Sequence, residues 1–223
     1  MTTSSVQSVT VLGTGDVVAR LIDAINANRV YLSEVDSAIG DGDHGINMSK
    51  GFTNARARIA GRGVQDDLAA SLEEVGLTLV EGIGGSMGPL YGGFFLALSE
   101  TIEGHAELNA KLFGDALGAA VAAVRDVGGA NVGDKCLVDT LAPALDAYRD
   151  ALASGVPFAV CLDAMAEAAR RGRDSTRDLQ ARIGRASRLG PRSIGVLDAG
   201  ATSACLILES LAEGLKMHLS TNS

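Results

Sequence analysis

Between Glu34 and Met48 the chain reads EVDSAIGDGDHGINM, and no regular element can carry it through unbroken. Gly40, Gly42 and Gly45 each weaken a helix by ~1 kcal/mol and admit positive φ. On an unbroken helix Asp36 and Asp43 share a face and Asp41 lies off it, whereas a tight loop can curl all three carboxylates towards one point. Crowded like charges call for a cation, and hard oxygen ligands suit Mg²⁺ or Ca²⁺. Mg²⁺ takes few protein carboxylates and completes its shell with water and phosphate oxygens, so the stretch reads as half of a metal–phosphate site. Two plainer readings stand beside it. An acidic, Gly-rich loop can be a solvated turn. An EF-hand loop counted from Asp41 needs Gly sixth and Glu twelfth, where this chain has Ile46 and Phe52, so that register fails.

Around this loop the apolar residues recur at helical spacing. Val18, Leu21, Ile22 and Ile25 mark a first helix from Asp16 to about Glu34, and a second runs from Gly45 or Ile46 to about Ala60. Leu68, Leu72, Val75, Leu79 and Ile83 mark a third. After Gly84–Pro89 a fourth continues through Leu90, Phe94 and Leu98. Further helices are expected over about 108–127, 136–153, 157–181 and 199–218, with Pro143 a bend in the sixth. No stretch alternates with period two for long enough to make a strand. Aromatic residues make up only 4% and Trp is absent, which favours closely packed helices over a sandwich. The expectation is an all-α, eight-helix antiparallel bundle over residues 14–223, with residues 1–13 a loosely ordered lead-in.

The composition excludes several functions. A net charge of −8 opposes nucleic-acid binding, which needs a basic surface. Cys136, Cys161 and Cys205 lie apart in apolar contexts and read as buried thiols of a reducing compartment. No apolar run reaches the ~18–20 residues of a membrane span, and no basic region precedes an apolar core near Met1, so a cytoplasmic protein is expected.

The remaining Gly-rich segments, Gly84–Pro89, Gly128–Asp134 and Gly195–Ser203, fall at helix boundaries, where free N–H groups attract anions. In an up-down bundle, the loops after helices one, three, five and seven share one end. Neither a Walker A loop nor a Rossmann Gly-x-Gly-x-x-Gly is present. Arg185, Arg188 and Arg192 are candidates for pairing with phosphate, although most loop arginines are simply solvated. His44 is read as a phosphate donor or a loop-fixing hydrogen bonder ahead of an acid or base. His105 and His218 receive no role.

Four segments in order, IGDGDHGINM (39–48), GGSMGPLYGGFF (84–95), GDKCLVD (133–139) and GRASRLGPRSIGVLDAGATS (184–203), resemble the nucleotide-binding L subunit of dihydroxyacetone kinases over nearly the whole chain. The resemblance implies an eight-helix barrel-like bundle with ADP or ATP and two Mg²⁺ at one end. It implies that Asp36, Asp41 and Asp43 hold the metal and that His44, Gly45, Ile46 and Asn47 contact the phosphates. Ser86, Met87, Gly128, Leu137, Asp198, Ala199 and Gly200 would line the nucleotide, and Arg185 would close over it and assist transfer. Family members often carry a hydroxyl residue where this chain has Met87, which leaves that contact to Ser86. The implied partners are a K subunit that holds the ketose and a phosphotransferase-system phosphoryl donor, with no nucleic acid and no membrane. Two other functions fit the same residues: a non-enzymatic, nucleotide-dependent module that signals to a regulator, and a paralogue acting on another short ketose such as erythrulose.

Overall fold

The computed structural model describes residues 7–221. Nine α-helices among them form the expected all-α bundle. Helix α1 (Asp16–Ala27) buries Val17, Val18, Leu21, Ile22 and Ile25 along one stripe. It ends at Asn28, whose side-chain amide donates to the Ala24 carbonyl at 2.8 Å, and α2 (Arg29–Ser37) then sets off as a separate helix. The single first helix expected from periodicity is thus two, parted at Asn28, whose backbone leaves the helical region at φ −96°, ψ 11° while its side chain shares the Ala24 carbonyl with its own N–H. The others are α3 (His44–Arg62), α4 (Leu68–Gly82), α5 (Met87–Ile102), α6 (Ala110–Gly128), α7 (Val138–Ala153), α8 (Phe158–Ser175) and α9 (Ala199–His218).

Sequential helices from α3 to α9 pack as neighbours, and α1 touches both α3 and α9, so the ring closes on itself. Closure buries one continuous core. Phe52, Phe94 and Phe95 meet edge to face at 5.3–5.7 Å in one part of it. Phe113, Tyr148 and Phe158 fill another, near the start of α6. Small residues let the helices approach. A Cβ added to Gly92 of α5 would lie 2.4 Å from Val80 Cγ2 on α4, and one on Gly172 of α8 would lie 2.3 Å from the Asp139 carbonyl on α7. That carbonyl is the one Pro143 cannot bond, and α7 runs on through the proline.

Two expectations need correction. Residues 1–6 lie outside the described residues, but Gln7–Thr10 is a strand, β1, rather than part of a loose lead-in. It pairs antiparallel with β2 (Glu107–Asn109) and β3 (Ser220–Thr221), and Val9 and Val11 are buried. Strands this short show no legible alternation. They sit at the starts and ends of helices opposite the acidic loop and close that end of the barrel. The seventh expected helix also stops early, at Ser175 rather than near Ala181. There the Thr176 carbonyl accepts from Lys135 Nζ and from Leu179 N, closing a 3₁₀ turn (Thr176–Asp178) in place of a further α-helical turn, and the chain passes into extended backbone at Leu179.

Candidate functional site

Alternation of direction around the ring sets the N-termini of α3, α5, α7 and α9 at one end, around a cavity of about 500 Å³. The first amides of a helix have no intrahelical acceptor, and its dipole favours negative charge there. The starts of α3, α5 and α7 lack a cap from the N-cap side chain, although His44 N at α3 is taken by Asp36 and Asp139 N and Thr140 N at α7 bond the Cys136 and Leu137 carbonyls. Of the four, only α9 has such a cap, the Asp198 carboxylate, which accepts from Ala201 N at 2.7 Å. Burial pushes that carboxyl up to about 6, against the pull of the Ala201 N–H and of Lys135. A smaller cleft between α8 and α9 is charged, but its charges pair with one another, Arg170 with Glu209 and Lys216 with Asp163.

The acidic loop behaves as its glycines require. Gly42 sits at φ 77°, and Gly40 N donates to the Asp36 carbonyl at 2.6 Å as α2 unwinds. Asp36, Asp41 and Asp43 then offer carboxylate oxygens that all lie within 4.8 Å of one another. Asp36 is partly buried, and its carboxylate also accepts the His44 N–H at 3.3 Å. Against them stands Arg185, whose guanidinium pairs with Asp41. Three carboxylates against one cation, beside the positive ends of helix dipoles, fit a hard divalent ion that shares its shell with phosphate.

The opposite wall is apolar. Leu90, Val124, Val127, Ala130 and Leu137 line it, with no charged side chain from α6, and it suits the flat face of a base. Cys136 beside it is buried, and burial pushes its thiol up to about 12, so it is an inert wall residue rather than a nucleophile.

Of the residues singled out from sequence, Asp36, Asp41, Asp43, His44, Asn47, Ser86, Met87, Gly128, Leu137, Arg185, Asp198, Ala199 and Gly200 all line this one cavity. Gly45 and Ile46 do not. Gly45 is buried against α2, and Ile46 is 47% exposed on the outer face. Arg188 and Arg192 are exposed away from the cavity. The His44 ring turns away from the carboxylates. Its Nε2 lies 2.9 Å from Ser203 Oγ, which lies 2.5 Å from the Tyr91 hydroxyl, and Tyr91 donates on to the Gly200 carbonyl. The loop-fixing role is therefore the one the side chain has here. Sequence reasoning missed Tyr91, Ser203 and Lys135, because their partners are far away in the chain.

Burial, opposed by Asp36, lowers the His44 imidazole from 6.5 to about 4. The folded protein thus binds fewer protons than the unfolded one between those values. This contribution is complete above about pH 6.5 and is lost as pH falls towards 4. In metal-free protein, His44→Gln should remove about 2 kcal/mol of the stability loss between pH 7 and pH 5, at 1.36 kcal/mol per unit. Urea titrations at the two pH values measure it, and equal slopes in both proteins would disprove it.

Residues 38–213 match the DAK2 domain family. The chain is 37% identical over 194 residues to the PEP-dependent dihydroxyacetone kinase 2, ADP-binding subunit DhaL, of Listeria innocua, covering 86% of this chain and 89% of the relative. It is 33% identical to an L-erythrulose 1-kinase of Mycolicibacterium smegmatis, covering 84% of this chain but 33% of that protein. The dihydroxyacetone kinase from C. freundii, solved with AMP-PNP and Mg²⁺, superposes with a TM-score of 0.64 at 25% identity, over 90% of this chain and 33% of that one.

Proposed function

The chain belongs to the DAK2 domain family, and from that premise we propose that it is the nucleotide- and magnesium-binding subunit of a dihydroxyacetone-type kinase. It passes a phosphoryl group to a short ketose held on a separate K subunit. The observation that carries this reading is the convergence of the Asp36–Asp41–Asp43 cluster with helix N-termini and an apolar wall in one cavity. Asp36, Asp41 and Asp43 would hold Mg²⁺, two ions in our reading, and the metal supplies charge neutralisation on the phosphates. Asn47 and the positive end of the α3 dipole would hold phosphate oxygens, and Gly128, Leu137 and the α6 wall would hold the base. Arg185, paired with Asp41 here, would supply positive charge to the phosphates when metal and nucleotide are bound. The chain contributes position and charge rather than a covalent step.

The similarity to a PEP-dependent ADP-binding subunit favours a form that keeps ADP and is rephosphorylated by a phosphotransferase-system protein, over one that exchanges ATP. The likeness to an erythrulose kinase supports a second reading, in which the K partner presents a four-carbon ketose. No helix among the described residues is long and apolar enough to cross a membrane, and we place the subunit in the cytoplasm with its nucleotide. Native mass spectrometry tests the proposal: one ADP with two Mg²⁺ should survive gel filtration. Calorimetry of metal-free protein with Mg²⁺ and ADP or ATP that registers no binding would end it.

A further inference from the structure

We propose that Lys135 is a positioning residue whose ammonium pins the Arg185-bearing segment and the approach to α9 across the mouth of the cavity. The inference rests on the nucleotide-site reading above. Lys135 is 2% exposed and has φ 64°, the only non-glycine residue with positive φ among the described residues. A buried ammonium and a left-handed lysine both cost free energy, and they persist only where their surroundings over-determine them. Those surroundings are two backbone carbonyls from distant segments. Nζ donates to Thr176 O at 2.5 Å and to Val196 O at 2.6 Å.

These two carbonyls bracket the segment that carries Arg185. Just inside them, Gly195 N donates to Arg177 O at 2.7 Å and closes the neck of the loop. Within the loop, Ala181 N donates to Ser193 Oγ, and Arg182 N donates to Asp134 O, next to the lysine itself. Gly184, Gly190 and Gly195 take positive φ, so the loop's shape depends on these ties rather than on helical regularity. The Thr176 hydroxyl accepts Asp198 N at 3.0 Å, linking the same neck to the cap of α9. Asp139, Asp178 and Asp198 supply negative charge around the ammonium. Asp139 itself is occupied, accepting from Gly133 N and Cys136 N, so it holds the lysine's own loop in shape. One side chain therefore sets the relation between three walls of the cavity: the 133–137 turn, the Arg185 loop and the start of α9.

The test combines hydrogen exchange with nucleotide binding on Lys135→Met and Lys135→Gly. Glycine removes the ammonium while suiting the left-handed backbone, so it folds even where methionine is strained. We expect exchange over residues 177–197 to rise at least about tenfold, and ADP-Mg²⁺ to bind at least about tenfold more weakly, as two lost charge-assisted bonds imply. Exchange in α4 and α5, and Mn²⁺ binding to nucleotide-free protein, should stay near wild type. Wild-type nucleotide affinity with unchanged exchange over 177–197 overturns the proposal. So does a general loss of protection, or failure of both variants to fold, since the lysine would then serve the whole barrel. Exchange measured without nucleotide reports on the clasp alone. If wild-type protein binds no ADP-Mg²⁺, the site reading falls while the exchange result still judges Lys135.

Discussion

Asp41→Asn should lower phosphoryl transfer by about a thousandfold or more, because a metal ion's charge stabilisation is worth several kcal/mol. Asparagine keeps the size and the loop-forming tendency of aspartate, so geometry is preserved while a negative ligand is lost. Asp41 is exposed, and its ion pair with Arg185 lies at the surface, so the pair's loss should change stability by less than about 1 kcal/mol. Relief of repulsion from Asp36 and Asp43 offsets part even of that. A coupled assay with saturating K partner and phosphoryl donor measures the transfer, and urea titration checks the fold. Turnover at the wild-type rate in a folded variant would remove the carboxylate cluster from the chemistry.

Gly45→Ala should act through packing instead. A Cβ there would lie 2.0 Å from the Arg29 carbonyl and 2.8 Å from Ser33 N, both backbone atoms of α2. Neither can yield as a flexible side chain does, so α2 and the start of α3 must separate. Overpacking of this kind costs about 3 kcal/mol. The separation would also pull Asp36, on α2, away from Asp43 and from the His44 N–H that its carboxylate accepts. We expect a lower urea midpoint and at least about a tenfold loss of Mn²⁺ affinity in nucleotide-free protein. The same substitution at Gly61, which has open space around it, serves as the control. Equal stability of the Gly45 and Gly61 variants would show that the close approach of α2 and α3 is not needed.

The sequence was legible wherever a feature is local. Helical spacing, helix-breaking glycines and the crowding of Asp36, Asp41 and Asp43 are properties of neighbouring residues, and together they lead to an all-α bundle with an acidic loop at one end. Even the convergence of four loops follows from counting helices that reverse direction. The split at Asn28 was hidden because neither glycine nor proline marks it. The strands were hidden because two to four residues carry no usable period.

What only tertiary structure decided lies in contacts across the barrel. Lys135 carries no local signal, and its role rests on Thr176 and Val196, which come to it from 41 and 61 residues away. His44 reads as a phosphate donor or a loop-fixing hydrogen bonder, and only the fold brings Ser203, 159 residues on, to its ring. Gly45 reads as loop chemistry until the α2 backbone is found where its side chain would be. The reason is the same in each case: sequence sets which residues can bend, pair or bury, whereas the closure of the ring sets which distant atoms must satisfy them.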